Sequence, residues 1–416
     1  MDKDIPSFWI AFFLWIVLSF RILFQRLAMH TKYSKRVVTA SRSFTRTILD
    51  LTAQNDIISF AGGLPDADLF PRESIQKYAM SLFEQHDNRL FQYSNASGVL
   101  PLKQAISKQY EQTTPTEIML TNGSQQGLDL VCKTFLDARD CIVVENPSYL
   151  AALGLFHLYD VEIVAVDLHP YGIDIEALEH VFKTKQPKFF YTIPIFQNPT
   201  GYSYSLENKK EVVRLAKEYH VILLEDSPYE ALRYDGIAPS SFAQLLPELT
   251  ISLGTFSKTL APDFRIGWIK APQNVISSLT CSKESTDLQN SKFFQYICAM
   301  MIEKGDLQAH TKKLIEQYRL KRDTMVKALN DAFGASIEMV IPEGGMFLWV
   351  TFHGVEDSMK LFDKAIEKGV AFVPGSVFFA DKRISPSARL NYTLSSPEEI
   401  ILGVTRLYDA YNETRA

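Results

Sequence analysis

The sequence predicts an α/β fold: a large unit on a mostly parallel sheet sandwiched by helices, then a smaller α+β unit. Three observations predict it. Short runs that are apolar on both faces, rich in Val, Ile and Phe, recur between residues 118 and 270, as buried parallel strands require. Segments of helical periodicity lie between those runs, and such alternation builds a sheet covered by helices. Near Asp306 the pattern changes: a long polar helix leads into a shorter set of mixed strands and helices.

In order, strands are expected at 118–120, 141–145, 161–167, 189–193, 221–226, 250–253 and 266–270. Helices are expected at 124–136 and 206–219; in the second, Val212, Leu215, Ala216 and Tyr219 follow the i, i+3, i+4, i+7 spacing of one buried face. Beyond the helix starting at Leu307, strands are expected at 337–340, 346–351 and 389–393, with helices at 358–367 and 397–411. The expected organisation is a distinct segment 1–28, an arm and part of the small domain at 29–78, a large domain at 79–305 and a small domain at 306–416.

The chain has 416 residues, 46% hydrophobic and 22% charged, which excludes a disordered or disulfide-scaffold protein. Lys and Arg number 43 against 48 Asp and Glu, for a net charge of −5. Without a basic run the chain is a poor nucleic-acid binder. Cys132, Cys141, Cys281 and Cys298 form no CxxC pair, and the eight histidines form no metal-binding cluster. No metal site is expected, and the cysteines read as reduced packing residues of a cytoplasmic protein.

Residues 5–20 carry no charge, and basic residues follow: Arg21, Arg26, Lys32, Lys35 and Arg36. A helix of that length reaches about 24 Å, short of the ~30 Å hydrocarbon core. Three readings stand: an over-long start with Met29 as the true one, a short anchor leaving the rest on the cytoplasmic face, or a packing helix.

The chemistry concentrates in six places. Lys258 lies between two apolar strands among Thr255, Ser257 and Thr259, with Arg265 seven residues on. It is either a snorkelling surface lysine or a shielded amine that loses its charge and acts as a nucleophile and base. The hydroxyls and Arg265 would suit a phosphate. Asp226 ends a strand, with Tyr229 three residues later; it is either a helix N-cap or a ligand group at the carboxyl end of a parallel strand. Asn198 sits in the turn FQNPTG. Ser124 and Gln125 follow Gly123 at a helix start, where free N–H groups suit an anion or form an ordinary cap. Tyr149 in ENPSY is a packed core tyrosine or a stacking ring. Arg389 in SARLNYT is a surface charge or a carboxylate clamp.

Together these segments resemble fold type I, pyridoxal-phosphate-dependent aminotransferases of class I/II. ISFAGGLPDADLFP at 58–71 and LFQYSNASG at 90–98 are similar to the 2-aminoadipate/kynurenine aminotransferase-like branch, which also supplies the catalytic domain of MocR-type regulators. The resemblance spans nearly all of the chain from Met29. It implies that Lys258 binds pyridoxal 5'-phosphate as a Schiff base and that Asp226 faces the pyridine nitrogen. Tyr229 and Asn198 would meet the ring phenolate oxygen, and Tyr149 the ring face. Ser124, Gln125, Thr255, Ser257 and Arg265 would hold the phosphate. Tyr93 would reach the cofactor phosphate of a neighbouring subunit, which implies a homodimer. Arg389, Asn198, Gly63 and Arg46 would contact the substrate, with Thr45 standing where the branch often has Ile. The implied reaction is ping-pong transfer of an amino group from an aromatic, 2-aminoadipate or branched-chain L-amino acid to a 2-oxo acid such as 2-oxoglutarate. Three rivals accompany it: a β-elimination C–S lyase, a non-enzymatic ligand sensor of the MocR kind, and a membrane-tethered partner protein with an idle enzyme fold.

Overall fold

The computed structural model describes residues 33, 34, 36, 44, 48, 57–85 and 87–415. The expectations placed on residues 1–28, including the apolar stretch 5–20, and on Arg46 lie outside the described residues. Among the described residues no helix is long and apolar enough to cross a membrane.

The expected strands form, with boundary shifts of one or two residues. They are β2 (Ile118–Thr121), β3 (Cys141–Asn146), β4 (Glu162–His169), β6 (Phe189–Thr192), β7 (Ile222–Asp226), β8 (Thr250–Thr255) and β9 (Gly267–Lys270); two short strands outside the expectation, β1 (Ile58–Ser59) and β5 (Gly172–Ile173), join them. Strands β2 to β9 make one eight-stranded sheet in the order β2-β9-β8-β7-β6-β3-β4-β5. The β8-β7-β6-β3-β4 run is parallel, while β9 and β5 pair antiparallel to their neighbours. Strand β5 was not expected, because two residues are too few to show a period of two.

Both faces of the sheet are covered. Phe189, Tyr191, Leu224 and Leu253 join a core cluster on one side, and Val143, Phe190, Leu223 and Val212 another. Helix Leu206–Tyr219 starts at Ser205, whose side chain accepts from the Asn208 N–H, and buries Val212, Leu215 and Ala216 as the periodicity predicts. Helix Ser124–Phe135 lies close beneath β8 and β9: a Cβ on Gly127 would stand 3.2 Å from Leu253 Cδ2.

Helix Asp306–Phe333 follows and packs against helix Pro397–Arg415. Strands β10 (Ile337–Met339), β11 (Phe347–Phe352), β13 (Val373–Pro374) and β14 (Ser387–Asn391) form an antiparallel sheet in the order β10-β11-β14-β13. The short β12 (Val370–Ala371) pairs in parallel with β1. The chain just after β1 is therefore fixed at both ends of Phe60: its N–H donates to Ala371 O, and its carbonyl accepts from Asn391 N. That lays Ala61 to Gly63 beside β14, where Arg389 sits.

Candidate active site

Parallel strands leave their carboxyl ends on one edge of the sheet, and ligands bind where the chain departs to opposite sides. Here β3 sits between β4 and β6, and the loops leaving β2, β3, β6, β7 and β8 converge on one cavity of about 640 Å³. From β2 come Ser124 and Gln125, from β3 Tyr149, and from β6 Asn198. From β7 come Asp226 and Tyr229, and from β8 Thr255, Ser257 and Lys258, with Arg265 just before β9. Gly63 and Arg389 close the cavity from the small-sheet side. Twelve of the fourteen site residues read from the sequence thus meet in one place. Tyr93 does not line the cavity and is 76% exposed.

At one end the groups suit an anion. Helix Ser124–Phe135 opens on the cavity, and its first-turn N–H groups have no intrahelical acceptors. Arg265 stands beside it: Nη2 donates to Asn122 O at 2.9 Å and Nη1 lies 3.4 Å from Ser257 Oγ. Thr255 Oγ1 donates to Ser257 Oγ at 2.9 Å. Gly123 has φ of +80°, and a Cβ there would stand 2.4 Å from Arg265 Nη2, so the guanidinium fits only because residue 123 is glycine.

In the middle, Asp226 ends β7 with 4% exposure and caps no helix. Its Oδ2 accepts from Tyr191 Oη at 3.0 Å, while Oδ1 is buried without a hydrogen-bond partner. Burial pushes this carboxyl up to about 7, against the lowering effect of the Tyr191 hydrogen bond. Lys258 Nζ donates to Gly63 O at 2.8 Å, and burial, then the Arg389 and Arg265 charges, push the amine down to about 8. Tyr229 Oη accepts from Asn198 Nδ2 at 3.3 Å.

At the far end, Arg389 is 3% exposed. Its Nη1 donates to Asn198 Oδ1 at 2.8 Å and its Nη2 to Ala61 O at 2.5 Å. Its guanidinium carbon lies 4.4 Å from the Phe347 ring centre and 5.2 Å from that of Phe378. Its Nε is buried and unpartnered, and burial pushes the group down to about 10. A planar guanidinium held this way is shaped for a carboxylate.

Residues 55–407 match the model of the "Aminotransferase class I and II" family. The chain belongs to that family. It is 38% identical over 392 residues to the aromatic-amino-acid aminotransferase 1 of Thermococcus litoralis, covering 92% of this chain and 94% of that protein. Among solved structures, the multiple substrate aminotransferase of Thermococcus profundus superposes with a TM-score of 0.88 at 37% identity, covering 93% of this chain and 98% of the other. The α-aminoadipate aminotransferase of Thermus thermophilus, solved with N-(5'-phosphopyridoxyl)-L-leucine, gives a TM-score of 0.87 at 32% identity, covering 93% and 98%. This aminotransferase therefore has the fold type I architecture, and its cofactor is pyridoxal phosphate.

The residues fit that cofactor. The partnerless Asp226 Oδ1 is an acceptor awaiting a donor such as a protonated pyridine nitrogen, and the helix start, Ser257 and Arg265 suit a phosphate. The sequence reading missed Tyr191, the donor to Asp226. The register of the folded sheet reveals it: β6 pairs with β7, setting Tyr191 opposite Leu224, two residues before Asp226. It also missed Glu145, whose buried carboxylate gathers donors from three segments around the cavity.

Proposed function

We propose that this aminotransferase takes its amino group from an aromatic, 2-aminoadipate or branched-chain L-amino acid and returns it to a 2-oxo acid such as 2-oxoglutarate. The observation that carries the proposal is one cavity holding an amine, a buried carboxylate and a clamped guanidinium: Lys258, Asp226 and Arg389. The names of the T. litoralis and T. thermophilus relatives support the donor classes.

In this reading Asp226 holds the pyridine nitrogen, and Ser124, Gln125, Thr255, Ser257 and Arg265 hold the phosphate. Tyr149 covers the ring face, and Tyr229 and Asn198 meet the phenolate oxygen. Pyridoxal phosphate, when bound, supplies the electron sink that makes an α-hydrogen removable as a proton. Arg389 binds the substrate carboxylate through paired N–H donors and so fixes which bond at Cα faces Lys258. Lys258 Nζ then takes the α-proton, and its lowered proton affinity lets it hold that proton or release it near neutral pH. Gly63 and Arg46 would meet the substrate side chain.

We further propose a homodimer. Tyr93, Phe91 and Phe83 are 76%, 68% and 52% exposed, an apolar surface that a partner subunit would bury while Tyr93 reaches the partner's phosphate site. The four cysteines are free, which fits a cytoplasmic enzyme.

The test is a spectrum of the purified protein with pyridoxal phosphate, titrated with single amino acids in the absence of any oxo acid. Conversion of the protein-bound visible band by aromatic, 2-aminoadipate or branched-chain donors is the expected result, lost in Lys258→Ala. Release of pyruvate and ammonia from a β-substituted amino acid, with no conversion by other donors, would replace transamination by elimination.

A further inference from the structure

Between the central sheet and the cavity lies a carboxylate with no role in the reaction described above. Glu145, the fifth residue of β3, is 0% exposed. Four groups donate to it and none is a cation. Its Oε1 accepts from Thr192 Oγ1 at 2.5 Å, Ile193 N at 3.2 Å and Tyr204 Oη at 2.8 Å. Its Oε2 accepts from Gln197 Nε2 at 3.0 Å. The same Gln197 Nε2 donates to Pro147 O at 2.9 Å, while Gln197 Oε1 accepts from Thr200 N at 2.9 Å and Thr200 Oγ1 at 2.8 Å.

Gln197 therefore has its whole amide committed, with the acceptor side to Thr200 and the donor side to Glu145 and Pro147. The orientation is forced, because an amide turned the other way would set its oxygen against the Glu145 carboxylate. Gln197 immediately precedes Asn198, and Pro147 lies two residues before Tyr149. Asn198 in turn accepts from Arg389 and donates to Tyr229. Hydrogen bonds tie Glu145 to Gln197 and Gln197 to Thr200 two residues beyond Asn198; the backbone of that turn carries the link to Asn198, whose side chain bonds Arg389.

Resting on the proposed function, we infer that Glu145 and Gln197 are positioning residues: a buried clamp that sets Asn198, and through it the guanidinium that receives the substrate carboxylate. Neither lines the cavity. An acceptor-only group is needed at 145, since all four neighbours donate. An amide there would leave one donor facing another in a dry site, which buried networks tolerate poorly. The clamp acts on the carboxylate end of the cavity, while the phosphate end is held by other segments, those around Ser124 and Ser257.

The experiment compares wild type, Glu145→Gln, Gln197→Leu and the swap Glu145→Gln with Gln197→Glu, all loaded with pyridoxal phosphate. Four quantities are read: KM and kcat for an amino donor, the dissociation constant of the unreactive 3-phenylpropionate, and the affinity for pyridoxal phosphate. Each single variant should raise KM and the 3-phenylpropionate constant about tenfold, the equivalent of one misplaced hydrogen bond to a charged group. Cofactor affinity should fall clearly less than 3-phenylpropionate affinity, since the clamp reaches the cofactor only through Asn198 and Tyr149 while the phosphate contacts are untouched. The swap restores a donor–acceptor pair between the two positions, though not the donor to Pro147 O, and should recover part of the lost carboxylate affinity. If Glu145→Gln does not fold, Gln197→Leu and the swap carry the test. Unchanged carboxylate binding in the single variants would overturn the inference. So would a parallel loss of cofactor affinity, or a swap no better than the single variants. A wild-type enzyme that converts no amino donor would instead overturn the proposed function, and 3-phenylpropionate binding would still report on the clamp.

Discussion

Lys258 offers the prediction with the clearest magnitude. In water a lysine amine titrates near 10.5; here burial and the nearby guanidiniums push it down to about 8. At pH 7.5 the neutral fraction then rises from about 0.1% to about a quarter, a gain of some two hundredfold in nucleophilic amine. Lowering the amine from 10.5 to about 8 corresponds to about 3 kcal/mol against carrying the charge at that site. The assay is stopped-flow capture of pyridoxal phosphate by cofactor-free protein from pH 6 to 10, followed by the protein-bound visible band. Rates are normalised to those of free Nα-acetyl-lysine, which removes the cofactor's own titrations. The normalised rate should be highest at low pH and fall about tenfold per unit above pH 8, where Lys258 is already neutral while free lysine is still gaining neutral amine. Unnormalised capture should rise through pH 8 and level off. Removing the Arg389 charge with Arg389→Gln should move the midpoint upward, since that charge lowers the amine. A normalised rate flat across the whole range would show an amine no different from one in water and would refute the reasoning.

Three further outcomes follow from the site. Tyr191→Phe removes the one side-chain donor to Asp226, whose carboxyl already stands near 7. The carboxylate is the working form, so activity is lost as pH falls, and the acid limb of kcat should move up by about half a unit to one unit; a pH profile of the variant checks it. Gly123→Ala places a Cβ 2.4 Å from Arg265 Nη2 at a φ of +80°, and should weaken pyridoxal phosphate binding by tenfold or more, ~1.4 kcal/mol, read by equilibrium dialysis. Arg389→Lys keeps the charge but loses the paired donors, and should lower kcat/KM for the amino donor about a hundredfold, or ~3 kcal/mol, as steady-state kinetics would show.

The parts of the fold legible in the sequence were those with a strong local period. Helix Leu206–Tyr219 was legible from its apolar stripe of Val212, Leu215, Ala216 and Tyr219, and in the structure the Ser205 cap and a left-handed His220 close it at the same limits. The parallel strands were legible because both their faces are apolar. The order of the strands was not, since nothing local says that β9 inserts between β2 and β8. Most of the site was legible because its residues sit in short segments at strand ends, and the resemblance joined segments that the chain itself keeps far apart. Tyr191 and Glu145 were not singled out for a different reason. Each lies inside a run that reads as buried strand, where a tyrosine looks like packing and a carboxylate like a strand end. Only strand register shows that Tyr191 faces Asp226, and only the fold brings Thr192, Gln197 and Tyr204 around Glu145.

The direction of the shifts in this cavity carries a further consequence. Burial pushes Lys258 down to about 8, Arg389 down to about 10 and Asp226 up to about 7, so every one of these groups is moved toward its neutral form. Two of them stand where the proposed function places a group of opposite charge: a carboxylate against Arg389 and a protonated ring nitrogen against Asp226. Binding those groups stabilises the charged forms of Asp226 and Arg389. Two of the three groups are thus held at an energetic disadvantage that the cofactor and substrate relieve, which directs binding energy toward ligands with that spacing of charges. The same argument separates the roles within the cavity. In the proposed function Asp226 and Arg389 would discriminate by charge, whereas Lys258, kept poorly charged by burial, would act on a proton.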